Sequence, residues 1–491
     1  AQRRSYFVGT LLKMFPEITV EEIEEAAPAD CLMTPAGSMA FFLNGLKEDE
    51  EKMTSGNTEG EEAVSFERKE LWNALAKYYL NDEEWKEEAE KLLKTAYEIH
   101  SDEPVSHAVT KALYGTTLAN SVTRLERFAA CAYAHYLDYG LKLKERQLLE
   151  FASVDMGNIY HDALEHFSGK IEKSEYTWFN IPEEVCDAYI EESMDDAIAG
   201  CKNAGAFENV RNRYLTGRMR QTIKRTVWAL TTQIRKGKFV PSDFEVSFSR
   251  ADKLDAIHFQ LSDEEKMNLL GRIDRVDTYE TTDKVYVKII DYKSGNTSFS
   301  LVNLYHGLQL QLVVYMNAAL EQRIEEAEEL AKDDDAEMKE MAALELEEKR
   351  HPGKKVEPAG IFYYHIQNPM VDGLGNESEE EIRNSVLEQL KLNGLVNKDP
   401  EIYEAMDADF TGNSSVIPIG KKTDGTLKAT SKVASTADFA VMSDYVKGKI
   451  KETGKKIFAG DISVHPYSLD GKTGCDYCPY HTVCGFDNRL P

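Results

Sequence analysis

Val285-Tyr-Val-Lys-Ile-Ile-Asp-Tyr-Lys-Ser-Gly295 decides the reading of this chain. It is an apolar, β-branched and aromatic run that Gly295 breaks, the pattern of a strand buried in a sheet. Strand side chains alternate faces, so Asp291 and Lys293 point the same way at the strand's exit. Upstream stands Gly271-Arg-Ile-Asp-Arg-Val-Asp277, the end of another strand pattern running from Leu269 to Tyr279. If the two strands form a hairpin, Asp274 faces Asp291. Two carboxylates at close range repel unless a cation neutralises them. Oxygen ligands suit a hard divalent ion, Mg²⁺ or Mn²⁺. Such an ion activates water and stabilises charge on a phosphate oxygen. Lys293 would orient the attacking water or neutralise the transition state. An ordinary surface hairpin with salt bridges would carry the same Asp-x-Lys pair, so the pair needs company.

Two neighbouring segments supply it. Gly157-Asn-Ile-Tyr-His161-Asp-Ala-Leu-Glu165 reads as a helix carrying His161, with Glu165 one turn on as a partner for the ring. Gln311-Leu-Val-Val-Tyr315 places Gln311 and Tyr315 on one helix face. Around them, Phe244-Glu-Val-Ser-Phe and Ile257-His-Phe-Gln-Leu alternate like strands, 301–330 is helical, and Gly360-Ile-Phe-Tyr-Tyr-His-Ile reads as a buried strand. Helix, strands, helix, strand is the order of an α/β core with a mixed sheet. Residues 1–120 read as mostly helical, interrupted by a polar acidic gap at 47–64. Residues 121–240 stay helical, with Ser121 as an N-cap. Beyond 374 come a helix, an irregular stretch, a helix at 436–453 and a cysteine-rich end.

At 491 residues the chain predicts two or three folding units. It opens on Ala1-Gln2-Arg3-Arg4, and we read it as part of something longer. No run of about 18 apolar residues appears, so no membrane span is expected. GxxxxGK[ST] is absent, which removes a motor of that type. The formal charge, 58 − 86 = −28, opposes nucleic-acid binding globally, but the charge is segregated. Stretch 321–350 holds 13 acidic and 5 basic residues, a solvated helix face. Stretch 211–238 carries only bases, and Arg211, Arg218 and Arg225 recur every seven residues along one helix face. That stripe is either solvated or repels itself until an anion such as DNA arrives.

Seven cysteines, an odd number without a secretion signal, argue for a reducing, cytoplasmic setting. Cys475-x₂-Cys478-x₅-Cys484 offers three thiolates to a metal centre. His481 or Cys131 would be the fourth ligand, and spacing alone leaves zinc and an iron–sulfur cluster equally open. Cys31, Cys186 and Cys201 read as buried free thiols.

The ordered set His161, Asp274, Asp291-x-Lys293, Gln311-x₃-Tyr315 resembles the RecB-type nuclease family of the PD-(D/E)xK superfamily. The resemblance implies an α/β nuclease core whose metal is held by His161, Asp274, Asp291 and the Tyr292 carbonyl. It implies catalytic roles for Asp274, Asp291 and Lys293, with Gln311 and Tyr315 shaping the site near the scissile strand. Ile273 replaces the family's Pro, and the second acid is Asp rather than Glu.

Ser121-Val-Thr-Arg-Leu-Glu-Arg-Phe-Ala-Ala-Cys131-Ala-Tyr-Ala-His-Tyr is similar to the segment opening the nuclease domain in the AddB components of bacterial AddAB helicase–nucleases. That resemblance implies a 4Fe-4S cluster on Cys131, Cys475, Cys478 and Cys484, stapling the nuclease core. Ala132 stands where Pro often follows the first cysteine, while Pro479 matches. The likeness further implies that 1–120 ends an inactive helicase-like region and that 121–491 is the nuclease domain. Implied too are an AddA-like helicase/nuclease partner, a DNA substrate, and Mg²⁺-dependent exonuclease action on the 5′-ended strand in double-strand break repair and recombination. The rival expectations are a non-catalytic iron–sulfur DNA-binding scaffold and a stand-alone iron–sulfur exonuclease.

Overall fold

The computed structural model describes residues 6–15, 32–34, 37–39, 41–42, 62–97, 103–144, 153–201, 210–248, 257–332, 354–371, 378–408 and 410–486. Cys31, positions 47–61 of the polar gap and 333–350 of the acidic stretch lie outside them. The chain divides into two compact units, 102–484 and 1–101, the latter grouped with 485–491. Among the described residues, no helix is long and apolar enough to cross a membrane.

The first unit contains helices α1 (Tyr6–Met14), α2 (Glu62–Asn81) and α3 (Lys86–Tyr97). Its core gathers Phe42, Tyr79 and Ala89 with Trp72 and Trp85. Phe42 stacks on Trp72 at 5.1 Å.

The second unit begins earlier than position 121. Helix α4 (His107–Tyr114) and strand β1 (Thr117–Ser121) belong to it, because β1 pairs in parallel with β4 (Lys266–Glu280), Thr117 opposite Lys266. Helix α5 (Val122–Ala130) follows, and the Ser121 hydroxyl caps it by accepting from Arg124 N–H. After the short α6 (Ala132–His135) come α7 (Ser153–Glu172), α8 (Glu183–Gly200) and α9 (Val210–Ile234). Strands β2 (Val240–Phe248) and β3 (His258–Gln260) both pair antiparallel with β4.

Strand β5 (Lys284–Lys293) returns from β4 as the expected hairpin, Arg275 opposite Ile290. It is buried almost throughout, which is why it carries apolar side chains on both faces. β6 (Lys355–His365) lies parallel to β5, β7 (Asn393–Asn397) antiparallel to β6, and β8 (Val433–Ala434) parallel to β7. The sheet is therefore mixed, with eight strands among the described residues.

The helix expected over 301–330 is two: α10 (Leu301–Tyr305) and α11 (Gln311–Lys332). Gly307, at φ 79°, supplies the left-handed residue between them. Late in the chain come α12 (Glu379–Gln389), α13 (Pro400–Met406), α14 (Thr436–Phe458) and the short α15 (His481–Cys484).

Alternation along β5 feeds two cores. Val287 and Ile289 pack with Leu125, Leu312, Tyr315 and Ile450. Tyr286, Ile290 and Tyr292 pack with Tyr160, Leu164, Ile190 and Ile223. Each such side chain contributes about 1.5–3 kcal/mol on full burial. The sheet is thus pinned between α5, α11 and α14 on one face and α7, α8 and α9 on the other. Asp291 and Lys293 share the first face with Ile289.

Candidate active site

Sheet register aligns three acids in a row. One step beyond the Arg275–Ile290 pair, Asp274 stands opposite Asp291. Across the other edge of β4, Phe244 pairs with Arg275 and Val246 with Ile273, so Glu245 also stands opposite Asp274. Glu245 adopts φ 52°, a left-handed conformation costly for a side chain with a Cβ. Tyr292 N–H donates to Asp274 Oδ2 at 2.7 Å, and His161 Nδ1 lies 3.4 Å from the same oxygen. Lys293 Nζ sits 2.5 Å from Asp291 Oδ2 and donates to Gln311 Oε1 at 3.0 Å. Gln311 Nε2 in turn donates to the Tyr315 hydroxyl at 2.8 Å. Every residue of the ordered set therefore meets at one end of the β4–β5 hairpin.

The electrostatics are those of a site short of positive charge. Burial pushes the Asp291 carboxyl up to about 6, the Asp274 charge adds to this, and Lys293 opposes it. Burial, then Asp274, pushes Glu245 up to about 8 despite its ion pair with Arg272. Burial works against a charged His161, but the hydrogen bond and charge of Asp274 outweigh it and raise its pKa. Asp291 Oδ2 and Glu245 Oε2 are buried, and each has a side-chain cation beside it, Lys293 and Arg272 respectively. Ligand atoms of His161, Glu245 and Asp274 all lie within 4.8 Å of one another. Crowded carboxylates, spare lone pairs and a neighbouring imidazole fit a hard divalent cation.

The cysteine-rich end docks beside α5. Tyr467 N–H donates to Ala130 O, and Tyr133 N–H donates to Ser463 O, which brings 463–484 to Cys131. Burial raises the Cys475 thiol pKa, and the nearby sulfurs of Cys478, Cys131 and Cys484 raise it further. Arg127 Nη2 points at Cys478 Sγ from 3.9 Å. His481, the other fourth-ligand candidate, turns Nε2 to the Cys475 carbonyl at 2.6 Å. Cys186 is buried, but Cys201 is half-exposed at the end of α8 rather than buried.

A family model described as the PD-(D/E)XK nuclease superfamily matches residues 119–485. The chain belongs to this superfamily. It is 32% identical over 498 residues to the B component of an ATP-dependent helicase/deoxyribonuclease from Lachnoclostridium phytofermentans, covering 99% of this chain and 38% of the relative. The corresponding component from Clostridium tetani is 32% identical over 99% of this chain and 39% of its own length. One from a Thermoanaerobacter species is 34% identical over 86% of this chain and 34% of its own. The chain thus spans under two fifths of these relatives.

Within this PD-(D/E)XK nuclease chain, Glu245 is the acid that sequence reasoning missed. The signal existed: an acid in the middle of the alternating Phe244-Glu-Val-Ser-Phe strand. Alternation alone assigns such a residue to the solvent face, and only register with Asp274 places it in the row.

Two bases of the 211–238 stretch that lie outside the stripe are paired from within: Arg220 with Glu191 and Asp195, and Lys224 with Asp187 and Glu191, all on α8. Arg218 is exposed, Arg225 lies over Trp228 at 5.4 Å, and the Arg211 side chain is outside the described residues.

Proposed function

We propose that this chain hydrolyses phosphodiester bonds of DNA with Mg²⁺, Mn²⁺ being an alternative, as the nuclease portion of a helicase–nuclease complex. The observation that carries this is the row Asp274–Asp291 with Lys293 fixed by Gln311. Asp274, Asp291, His161 and the Tyr292 carbonyl would hold the cation, with Glu245 within reach of the same set. The cation supplies neutralisation, more acidic water and stabilised phosphate charge. Lys293, anchored between Asp291 and Gln311, holds its ammonium where it donates to the attacking water or the scissile phosphate. Tyr315 and Gln311 wall the site on the α11 side.

Family likeness supports an exonuclease working in the cytoplasm on the 5′-ended strand during double-strand break repair and recombination, with an AddA-like helicase/nuclease as partner. Asp291→Ala measured beside the wild type on single- and double-stranded DNA tests the chemistry. Mg²⁺-dependent cleavage by the wild type alone is the expected result; equal, metal-independent activity of both would sink the reading.

For the cysteines we propose a 4Fe-4S cluster on Cys131, Cys475, Cys478 and Cys484, stapling the core. Tyr467 N–H on Ala130 O and Tyr133 N–H on Ser463 O hold the cysteine-rich end beside Cys131, and it is the family likeness that favours a cluster over a single zinc there. Iron and sulfide analysis of anaerobically purified protein tests this, and a zinc-only result would refute it.

A further inference from the structure

Helix α11 carries Gln311 at its first position, and the residue before it is Leu310, whose side chain has no acceptor. The first amides of a helix need partners from outside it. Glu126, 184 residues away on α5, provides one: Leu310 N–H and Gln311 N–H donate to its Oε1 at 2.7 and 3.2 Å. A carboxylate at this end also complements the helix dipole. From there one hydrogen-bonded path leads inward. Gln311 Oε1 accepts from Lys293, which faces Asp291. The same helix α5 ends at Cys131, and Arg127, next to Glu126, reaches Cys478 and donates to Asp138 at 2.8 Å.

We propose that Glu126 is a positioning residue for the nuclease site: by capping α11 it fixes Gln311 and, through it, the Lys293 ammonium. This rests on the nuclease reading above. α5 thereby links the cysteine site to the catalytic lysine through adjacent residues, Arg127 facing one and Glu126 the other. Glu126 accepts from the Leu310 and Gln311 amides and acts on Lys293 and Asp291 only through its charge, so its loss leaves those groups present but misplaced, and the Gln variant separates the cap from the charge.

Three variants test this on the whole chain: Glu126→Ala, Glu126→Asp and Glu126→Gln. Glu126→Asp keeps the charge and shortens the arm, so it guards against a mere folding failure of the alanine. Ala and Asp are expected to lower kcat about tenfold to hundredfold, the scale of a misplaced catalytic group. KM for DNA and Mn²⁺ affinity should not change. Gln retains an acceptor oxygen of the same reach and is expected to recover most of the rate. In a Lys293→Ala background, Glu126→Asp should cost nothing further. Hydrogen exchange at Leu310 and Gln311 should accelerate in the Ala and Asp variants.

Wild-type kcat in the Asp variant overturns the proposal. So does an undiminished penalty in the Lys293→Ala background, or a loss confined to KM or Mn²⁺ binding. A wild type that cuts no DNA, equal to Lys293→Ala, overturns the nuclease reading and this inference with it. Altered amide exchange in that case would show that the cap exists but serves the fold alone.

Discussion

Tyr292 N–H donates to Asp274 Oδ2 at 2.7 Å, tying the exit of β5 to the acid of β4. The bond fixes which way the Asp274 carboxylate turns, and its donor is a backbone group that any residue but proline would keep. Asp274→Asn keeps an oxygen acceptor for that amide while losing the charge. We therefore expect the variant to melt close to the wild type and to cleave at least about 100-fold more slowly. Thermal unfolding and a Mg²⁺-dependent cleavage assay check the two halves separately. Coincident loss of both would make Asp274 a structural residue.

Glu245 and Asp291 flank Asp274, and in each the carboxyl is pushed up by burial and then by the Asp274 charge. With its carboxyl pushed up to about 8, Glu245 must take up a proton to fold at neutral pH without the cation, a cost that Glu245→Gln removes. In EDTA the variant should be more stable than the wild type, and the stabilisation gained on adding Mg²⁺ or Mn²⁺ should shrink. Melting temperatures with and without the ion measure this. An unchanged metal increment would exclude Glu245 from the cation's surroundings.

On the opposite face of the sheet, Arg275 donates to Asp277 at 2.6 and 2.8 Å, and Lys288 Nζ lies 2.7 Å from Asp277 Oδ2. All three are almost fully buried. Burial alone would raise the Asp277 carboxyl, but Arg275 and Lys288 hold it below its ordinary 3.8. Asp277→Asn strands two buried cations and should cost about 3–5 kcal/mol in denaturant unfolding. Because the folded-state value is depressed, this contribution is complete above about pH 4 and is lost as pH falls through the folded value. The variant's deficit should therefore be constant from pH 5 to 8 and shrink in acid. A deficit that grows in acid would contradict the assignment.

The Arg218 and Arg225 positions address the basic stripe. Reversing both to Glu leaves the Arg220 and Lys224 pairs with α8 in place. DNA affinity should fall, and the slope of log affinity against log salt should flatten by up to about two. Binding isotherms at several salt concentrations decide it, and an unchanged slope would assign the stripe to solvent.

Much of the site was legible in the sequence because its determinants are local. Asp291-x-Lys293 shares a face by strand alternation, and Gln311 and Tyr315 share one by helical spacing. Asp274 opposite Asp291 required only that two adjacent strands form a hairpin. Ser121 as an N-cap needed one hydroxyl before a helix. The helix over 301–330 failed at Gly307 because an apolar period survives a short break, and only the backbone shows the turn.

What the sequence by itself determined was the set of chemical groups and the faces on which strand and helix periodicity puts them. The tertiary structure alone decided what lies opposite what. Glu245 joins the acids only through the pairing of β2 with β4. Arg220 and Lys224 lose their free charge only because α8 packs against α9. Glu126 reaches α11 only because α5 packs there, 184 residues away in the chain. Periodicity reports a residue's direction from its own element; contact across elements depends on register and packing, which are properties of the whole sheet and its two cores.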